Sequence, residues 1–152
     1  VEDHPDAPVR ILDIGTGSGC IPVSLVHRLP LSTVHAWDVS PEALEVARRN
    51  AIRNGVTVHF QQVDALQESW PSLNIDVLVS NPPYITEKER TDMERNVLDW
   101  EPELALFVPD NDPLLFYRHI ARIGLDLLSP SGTLYYEINR AGNDRMVKAV
   151  KP

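Results

Sequence analysis

Val9-Arg10-Ile11-Leu12-Asp13-Ile14-Gly15-Thr16-Gly17-Ser18-Gly19 is an apolar, β-branched run that ends in three alternating glycines. The apolar part, residues 9–14, reads as a buried strand, and the glycines read as a tight turn that lets a ligand approach the backbone closely. Residues 20–28 then carry a helical pattern that stops before Pro30. The turn would thus set unpaired helix N–H groups beside the glycines, which is the arrangement of a nucleotide-type site. The spacing is G-x-G-x-G, whereas the dinucleotide fingerprint would need glycine at position 20, where Cys20 stands. Pyrophosphate binding is disfavoured on that ground.

The alternation of strand and helix continues. Residues 33–37 form a second predicted strand, and Ser40 caps a helix over 41–54 with Pro41 at its first position, Glu42 and Glu45 early, Arg48 and Arg49 late, and Gly55 ending it. Further strands are predicted at 57–63, 75–80 and 133–138, the last after the Pro130-Ser131-Gly132 turn, with a helix from about 113 to 128 before it. With no internal repeat, this order predicts an α/β fold with a mainly parallel sheet. Residues 86–112 form a long polar excursion, and a connection of that length in a compact domain is usually functional or disordered. It follows the strand at 75–80, so a lid over a site at that strand's end is expected.

The length of 152 residues fits one domain, and 43% hydrophobic with 24% charged residues is ordinary for a soluble globular protein. Fourteen Lys and Arg against 22 Asp and Glu leave a formal charge of −8. That disfavours nucleic acid as a direct partner, because the chain would repel its backbone. Cys20 is the only cysteine, so there is no internal disulfide, and neither a signal peptide nor an apolar stretch of membrane-spanning length is visible. A cytoplasmic setting without a membrane partner is the expectation, an organelle remaining open for a longer precursor. The chain starts at Val1 and stops just after a charged amphipathic segment, so it is expected to be an excised piece of a longer protein.

Chemistry is concentrated at Ile75-Asp76-Val77-Leu78-Val79-Ser80-Asn81-Pro82-Pro83-Tyr84. A strand ending in two prolines cannot continue its ladder, because neither proline has an N–H to donate, so the backbone leaves the sheet in a stiff extended shape. Asn81 is then presented at the strand tip. Its side-chain oxygen and the Pro82 carbonyl can accept the protons of a planar amine or amide, which points to chemistry on nitrogen. Asp38, at the end of the second strand and about twenty residues beyond the turn, is placed to accept both hydroxyls of a ribose. Asp64, at the end of the third, could accept from an adenine amine.

Plainer readings cover the rest. His4, His27, His35, His59 and His119 lack metal-ligand spacing, so no metal is assigned. Cys20 is expected to be a small core residue, and Glu87-Lys88-Glu89-Arg90 a solvated run. A glycine-rich turn alone is weakly specific, and a single Asp after a strand is more often a helix cap than a ligand. Their combination with Asn81 is what carries weight.

The Asp13 to Gly19 loop, Asp38 and Asp64, in this order, resemble the class I S-adenosylmethionine-dependent methyltransferases. The resemblance implies a Rossmann-like sheet of order 3-2-1-4-5, and S-adenosylmethionine (product S-adenosylhomocysteine) bound by Asp13, Gly15, Thr16, Gly17, Gly19, Asp38, Asp64 and Asn81. Asp13 and Gly15 would lie near its methionine part. The Asn-Pro-Pro-Tyr tetrapeptide is shared with enzymes that methylate adenine in DNA, guanine in RNA and the glutamine side-chain amide. Here it continues as Ile85, then Trp100-Glu101-Pro102-Glu103-Leu104-Ala105-Leu106 and Leu115-Phe116-Tyr117-Arg118-His119-Ile120. That succession is similar to the release factor glutamine methyltransferases, which modify the glutamine of a Gly-Gly-Gln motif in peptide chain release factors.

The resemblance implies Asn81, Pro82 and Tyr84 as catalytic, with Asn81, Pro82, Pro83, Tyr84 and Glu101 meeting the substrate. Tyr84 would wall a flat amide, and Glu101 would be a substrate or lid contact. Asn139 departs from the family, which often has glycine after Glu137-Ile138. The family's upstream helical domain and the fold's last two strands are expected to be absent, leaving residues 1–152 a partial catalytic domain with residues 133–138 as an open sheet edge. The competing readings are methylation of an exocyclic amine of DNA or RNA, and a non-catalytic nucleoside-binding fragment.

Overall fold

The computed structural model describes residues 8–82, 85–86, 107–108, 112–138 and 145–150. The first crossover runs from β1 (Arg10–Ile14) through α1 (Cys20–Arg28) to β2 (Thr33–Asp38), and the second through α2 (Pro41–Arg53) to β3 (His59–Gln62). β4 (Ile75–Ser80) follows, then the two-residue strands β5 (Ile85–Thr86) and β6 (Phe107–Val108), α3 (Leu115–Leu127), β7 (Leu128–Ile138) and β8 (Arg145–Val150). Among the described residues, six strands form one sheet in the order β3-β2-β1-β4-β7-β8, parallel except for β8. The chain therefore leaves β1 toward β2 on one side and returns to β4 on the other. A crevice opens at the strand ends where the winding reverses, and in such sheets ligands bind there.

Local signals account for much of this. Ser40 is the N-cap of α2, its hydroxyl accepting from the Ala43 N–H at 3.1 Å, and Pro41 opens the first turn. The helix buries Leu44, Ala47 and Ala51 on one face, positions at i, i+3 and i+7. α3 buries Ile120, Ile123, Gly124 and Leu127 against a cluster that includes Leu12, Ile14, Trp37, Leu78 and Leu134. On the opposite face, Ile11, Leu29, Val34 and Val77 form a second cluster, flanked by Leu25 and Val26 of α1. Both faces of the central strands are thus covered. This is why β1 and β4 read as continuous apolar runs rather than alternating ones.

Three expectations are corrected. Residues 133–138 are not an open edge: β8 pairs antiparallel along β7 from Thr133↔Val150 to Ile138↔Arg145. The sheet therefore runs one strand beyond 3-2-1-4-5. β7 also starts earlier than predicted, because residues 130–132 are absorbed as an irregularity: the register with β4 shifts between Ile75↔Leu128 and Val77↔Thr133. Cys20 is exposed rather than a core residue, with its Sγ 3.2 Å from the Ser18 hydroxyl. It stands in the first turn of α1, where Pro22 and Val23 are the buried residues of the helix. β5 and β6 pair parallel, Ile85↔Phe107 and Thr86↔Val108, so two points of the long excursion are held together. The rest of the expected lid lies outside the described residues.

At the end of the sheet away from the crevice, Asp76 at the start of β4 gathers four donors. The Arg10 Nε and N–H reach its Oδ2 at 3.0 Å each, and Arg10 Nη2 and the Ser129 hydroxyl reach Oδ1 at 2.8 and 3.0 Å. The hydrogen bond and charge of Arg10 hold the Asp76 carboxyl down at about 2. A carboxylate with a depressed pKa stabilises the fold above its unfolded value, and that contribution disappears as pH falls toward the folded one. Because Asp76 is partly exposed, solvent screening limits the effect, and Asp76→Ala should cost about 1–2 kcal/mol at pH 7. Urea unfolding at pH 7 and pH 3 should show the difference from wild type shrinking at the lower pH.

Candidate active site

The glycine loop leaves β1 and is held from below. The Trp37 carbonyl of β2 accepts from the N–H groups of both Gly15 (2.9 Å) and Thr16 (3.1 Å), and the Thr16 carbonyl accepts from Gly19 (2.9 Å). Gly15 and Gly17 have φ of +74° and +54°, and a Cβ added at either would meet nothing within 4 Å. Their outer face is open space. Gly19 is glycine for another reason: φ is +80° and an added Cβ would come within 2.9 Å of the Ala47 Cβ on α2. It permits α2 to pack against the loop, and its carbonyl starts α1 by accepting from Val23.

Asp38, at the end of β2, ties this loop to the next element. Its Oδ2 accepts from the Gly17 N–H at 2.8 Å and its Oδ1 from the Ser40 N–H at 2.9 Å. A carboxylate has about four acceptor positions, so two remain for a ligand's hydroxyls. Just beyond β3, Asp64 turns the chain, its Oδ1 accepting from the Leu66 N–H at 2.9 Å. It borders a cleft of about 340 Å³ together with Val39, Gln61, Gln62 and Val63. That volume lies within the roughly 300–1,000 Å³ typical of small-molecule sites.

On the other side of the crevice, Ser80 ends β4 directly beside Ile14, and its buried hydroxyl donates to the Ile14 carbonyl at 2.7 Å. The next residue, Asn81, is exposed, while Pro82 is buried. The structure therefore brings Asn81 to the mouth of the glycine loop. Pro83, Tyr84 and Glu101, the other residues singled out from the sequence, lie outside the described residues.

Asp13 lies beneath the loop. Its side chain is fully buried and neither oxygen has a hydrogen-bond partner; the buried Thr16 hydroxyl also lacks one. Burial pushes the Asp13 carboxyl up to about 7, the nearby Thr16 hydroxyl working against the shift and the negative charge of Asp38 adding to it. An orphaned carboxylate under an open cradle favours a cationic ligand above it, since a positive charge would restore the ionised form. No cluster of three or more metal-ligating side chains occurs among the described residues.

Residues 3–99 match the family model described as "Methyltransferase small domain". The chain belongs to the methyltransferase small domain family. The matched span holds the glycine loop, Asp38, Asp64 and Asn81 together. A "Release factor glutamine methyltransferase" of Bacteroides thetaiotaomicron is 53% identical over 152 residues, 99% of this chain and 54% of that protein. The chain spans about half the length of the curated relatives it matches. Among solved structures, TrmN from Thermus thermophilus has a TM-score of 0.68 at 22% identity, covering 98% of this chain and 46% of that one. PKMT2 from Rickettsia typhi in complex with AdoHcy has a TM-score of 0.58 at 18% identity, covering 88% and 22%. These two likenesses show the fold.

Three supporting side chains of this methyltransferase domain carried no sequence signal. Asn50 of α2 donates from Nδ2 to the Ser18 carbonyl at 2.9 Å, reaching the glycine loop from 32 residues away. Gln62 donates to the Val39 carbonyl at 3.0 Å, and Ser80 holds β4 against β1 as described. Each acts between segments distant in sequence, and only the spatial order of the strands makes the partner visible.

Asp13 also makes a testable demand on stability. Its folded pKa is raised above the unfolded value of 3.8 to about 7, so the folded state holds a proton that the unfolded state has lost. Stability therefore falls as pH rises between those values, by an amount on the order of 2–4 kcal/mol, and levels off above the folded pKa. Asp13→Asn, which cannot ionise, should melt near wild type at pH 4.5 and well above it at pH 8. Equal melting temperatures at both pH values would show that the carboxyl is not buried uncompensated.

Proposed function

We propose that this chain is the catalytic core of an S-adenosylmethionine-dependent methyltransferase whose acceptor is the side-chain amide of a glutamine, in the Gly-Gly-Gln motif of a peptide chain release factor. The observation that carries the reading is the meeting, at the β1/β4 crevice, of an open glycine cradle with an exposed Asn81 followed by buried Pro82. The glutamine-directed name of the relative at 53% identity favours that acceptor over a nucleic-acid amine, as does the net charge of −8. In this reading residues 1–152 are the catalytic domain, recognition of the release factor is shared with the length that the relatives have and this chain does not span, and the setting is cytoplasmic. Among the described residues no helix is long and apolar enough to cross a membrane.

The residues present fit the methyl donor. The space in front of Gly15 and Gly17 would take its backbone-hugging part, Asp38 has acceptor capacity left for ribose hydroxyls, and Asp64 with Val39 and Val63 lines a cleft for adenine. Asp13, orphaned beneath, complements a cation. When bound, the donor supplies a methyl group on a positively charged sulfur, a leaving group that needs no further activation. The work left to the protein is positioning.

An amide nitrogen is a poor nucleophile because its lone pair is delocalised into the carbonyl. Acceptors on its two hydrogens, the Asn81 side-chain oxygen and the Pro82 carbonyl, would fix the plane of the amide and stabilise positive charge growing on nitrogen. The stiffness of a Pro-Pro backbone keeps those acceptors from relaxing away. Tyr84 would wall the amide plane, and Pro83 and Glu101 would meet the release factor.

Incubation with methyl-labelled S-adenosylmethionine and either a release factor or nucleic acid, followed by location of the label, tests the acceptor; label in nucleic acid alone would overturn it. In the full-length enzyme, Asn81→Ala should leave donor affinity nearly unchanged and slow methyl transfer by about 100-fold or more. Wild-type turnover by that variant would defeat the role given to Asn81. Asp38→Ala should weaken donor binding by about 1–3 kcal/mol, the usual cost of unsatisfied partners, and calorimetry with S-adenosylhomocysteine measures it.

A further inference from the structure

The cleft at the ends of β2 and β3 has an apolar wall that its own strand does not hold. Val39 follows the last residue of β2 and is 47% exposed, facing the cleft rather than the core. Its neighbours are tied: the Asp38 carbonyl accepts from the Val63 N–H at 3.0 Å and the Ser40 N–H donates to Asp38. The Val39 carbonyl itself is held by a side chain, the Gln62 Nε2 at 3.0 Å. Gln62 is the last residue of β3 and pairs in register with Asp38, so its amide needs only to reach one residue along the neighbouring strand.

We propose that Gln62 is a positioning residue for base recognition: by anchoring the Val39 carbonyl it sets the distance between the Val39 side chain and the opposite wall of the cleft at Val63 and Asp64. The inference rests on the reading of this cleft as the site of the donor's purine. A flat heteroaromatic ring gains its binding from dispersion against a wall about 3.5–4 Å away, and a gap of 0.5–1 Å forfeits a quarter to a half of each contact. With its flanks already tied, the Val39 carbonyl is the one point of this turn that Gln62 fixes, and a shift of that size there would forfeit the contact. Gln62, itself on the cleft's rim, thereby sharpens selectivity for a planar base through the wall it holds, and Asp64 at the same cleft adds an acceptor for an exocyclic amine.

Calorimetric titration of the protein with S-adenosylhomocysteine separates the alternatives. Gln62→Met, which keeps the length and removes the donor, should weaken binding by about threefold to tenfold, in line with the lost fraction of contact. Gln62→Lys, which keeps an N–H donor of similar reach, should restore affinity to within about twofold of wild type. In a Val39→Ala background, where there is no wall to place, Gln62→Met should have little further effect; effects that simply multiply would mean that Gln62 acts on the ligand or elsewhere. Affinity unchanged in a folded Gln62→Met, or no rescue by Gln62→Lys, overturns the proposal while leaving the methyltransferase reading intact. Failure of the wild-type protein to bind S-adenosylhomocysteine would instead remove that reading and the inference with it.

Discussion

The carboxylate of Asp38 accepts from two backbone N–H groups that belong to different parts of the site, Gly17 in the glycine loop and Ser40 at the start of α2. Through the first it fixes the curvature of the loop over β1; through the second it fixes where α2 begins. Its main-chain carbonyl, bonded to the Val63 N–H, extends the same control to the chain leaving β3. Loop, helix and cleft are therefore set by one residue at the tip of β2. A carboxylate suits this better than a neutral acceptor, because charge-assisted bonds to backbone N–H groups are roughly twice as strong and each oxygen keeps acceptor capacity for a ligand. In the function proposed above, this same capping geometry would aim the remaining lone pairs at the ribose.

α2 was the most legible element, since the Ser40 cap, Pro41 in the first turn and the apolar face lie within one short stretch and agree with one another. Strand and helix alternation pointed to a mainly parallel sheet, whereas the order of its strands came only with the methyltransferase resemblance. The meeting of Asp38, the glycine loop and Asn81 followed in turn from that order, because strand ends on the same side of a parallel sheet converge. β8 was not legible: Arg145-Met146-Val147-Lys148-Ala149-Val150 mixes charged and apolar residues without the clean period of a half-buried strand, and both of its faces are exposed from Val147 onward. Its place comes from the antiparallel ladder that β7 offers, a tertiary fact.

The supporting residues were illegible for a related reason. Asn50, Gln62 and Ser80 each donate one hydrogen bond to a main-chain carbonyl 23 to 66 residues away. A carbonyl acceptor has no side-chain identity, so nothing at Ser18, Val39 or Ile14 marks it as a partner. Residue types with recognisable chemistry announce the parts of a site that touch a ligand, whereas the parts that hold those residues still are ordinary polar side chains distinguished only by where they fall.

Asp13 and Asp76 lie on adjacent strands at opposite ends of the sheet and are treated in opposite ways. Asp76 is given four donors and a pKa of about 2; Asp13 has no well-formed hydrogen bond, only the nearby Thr16 hydroxyl opposing its burial, and is pushed up to about 7. The difference cannot reflect burial alone, since a fully buried carboxylate needs partners more than a partly exposed one. A fold selected only for stability would replace Asp13 with an apolar residue, as its neighbours Leu12 and Ile14 are. Retaining an uncompensated acid beneath the open loop makes sense if the missing partner arrives with a ligand, so that part of the binding energy of a cation is the relief of a cost already present in the empty protein. The sheet is thus well satisfied at the Asp76 end and left unsatisfied at the crevice end.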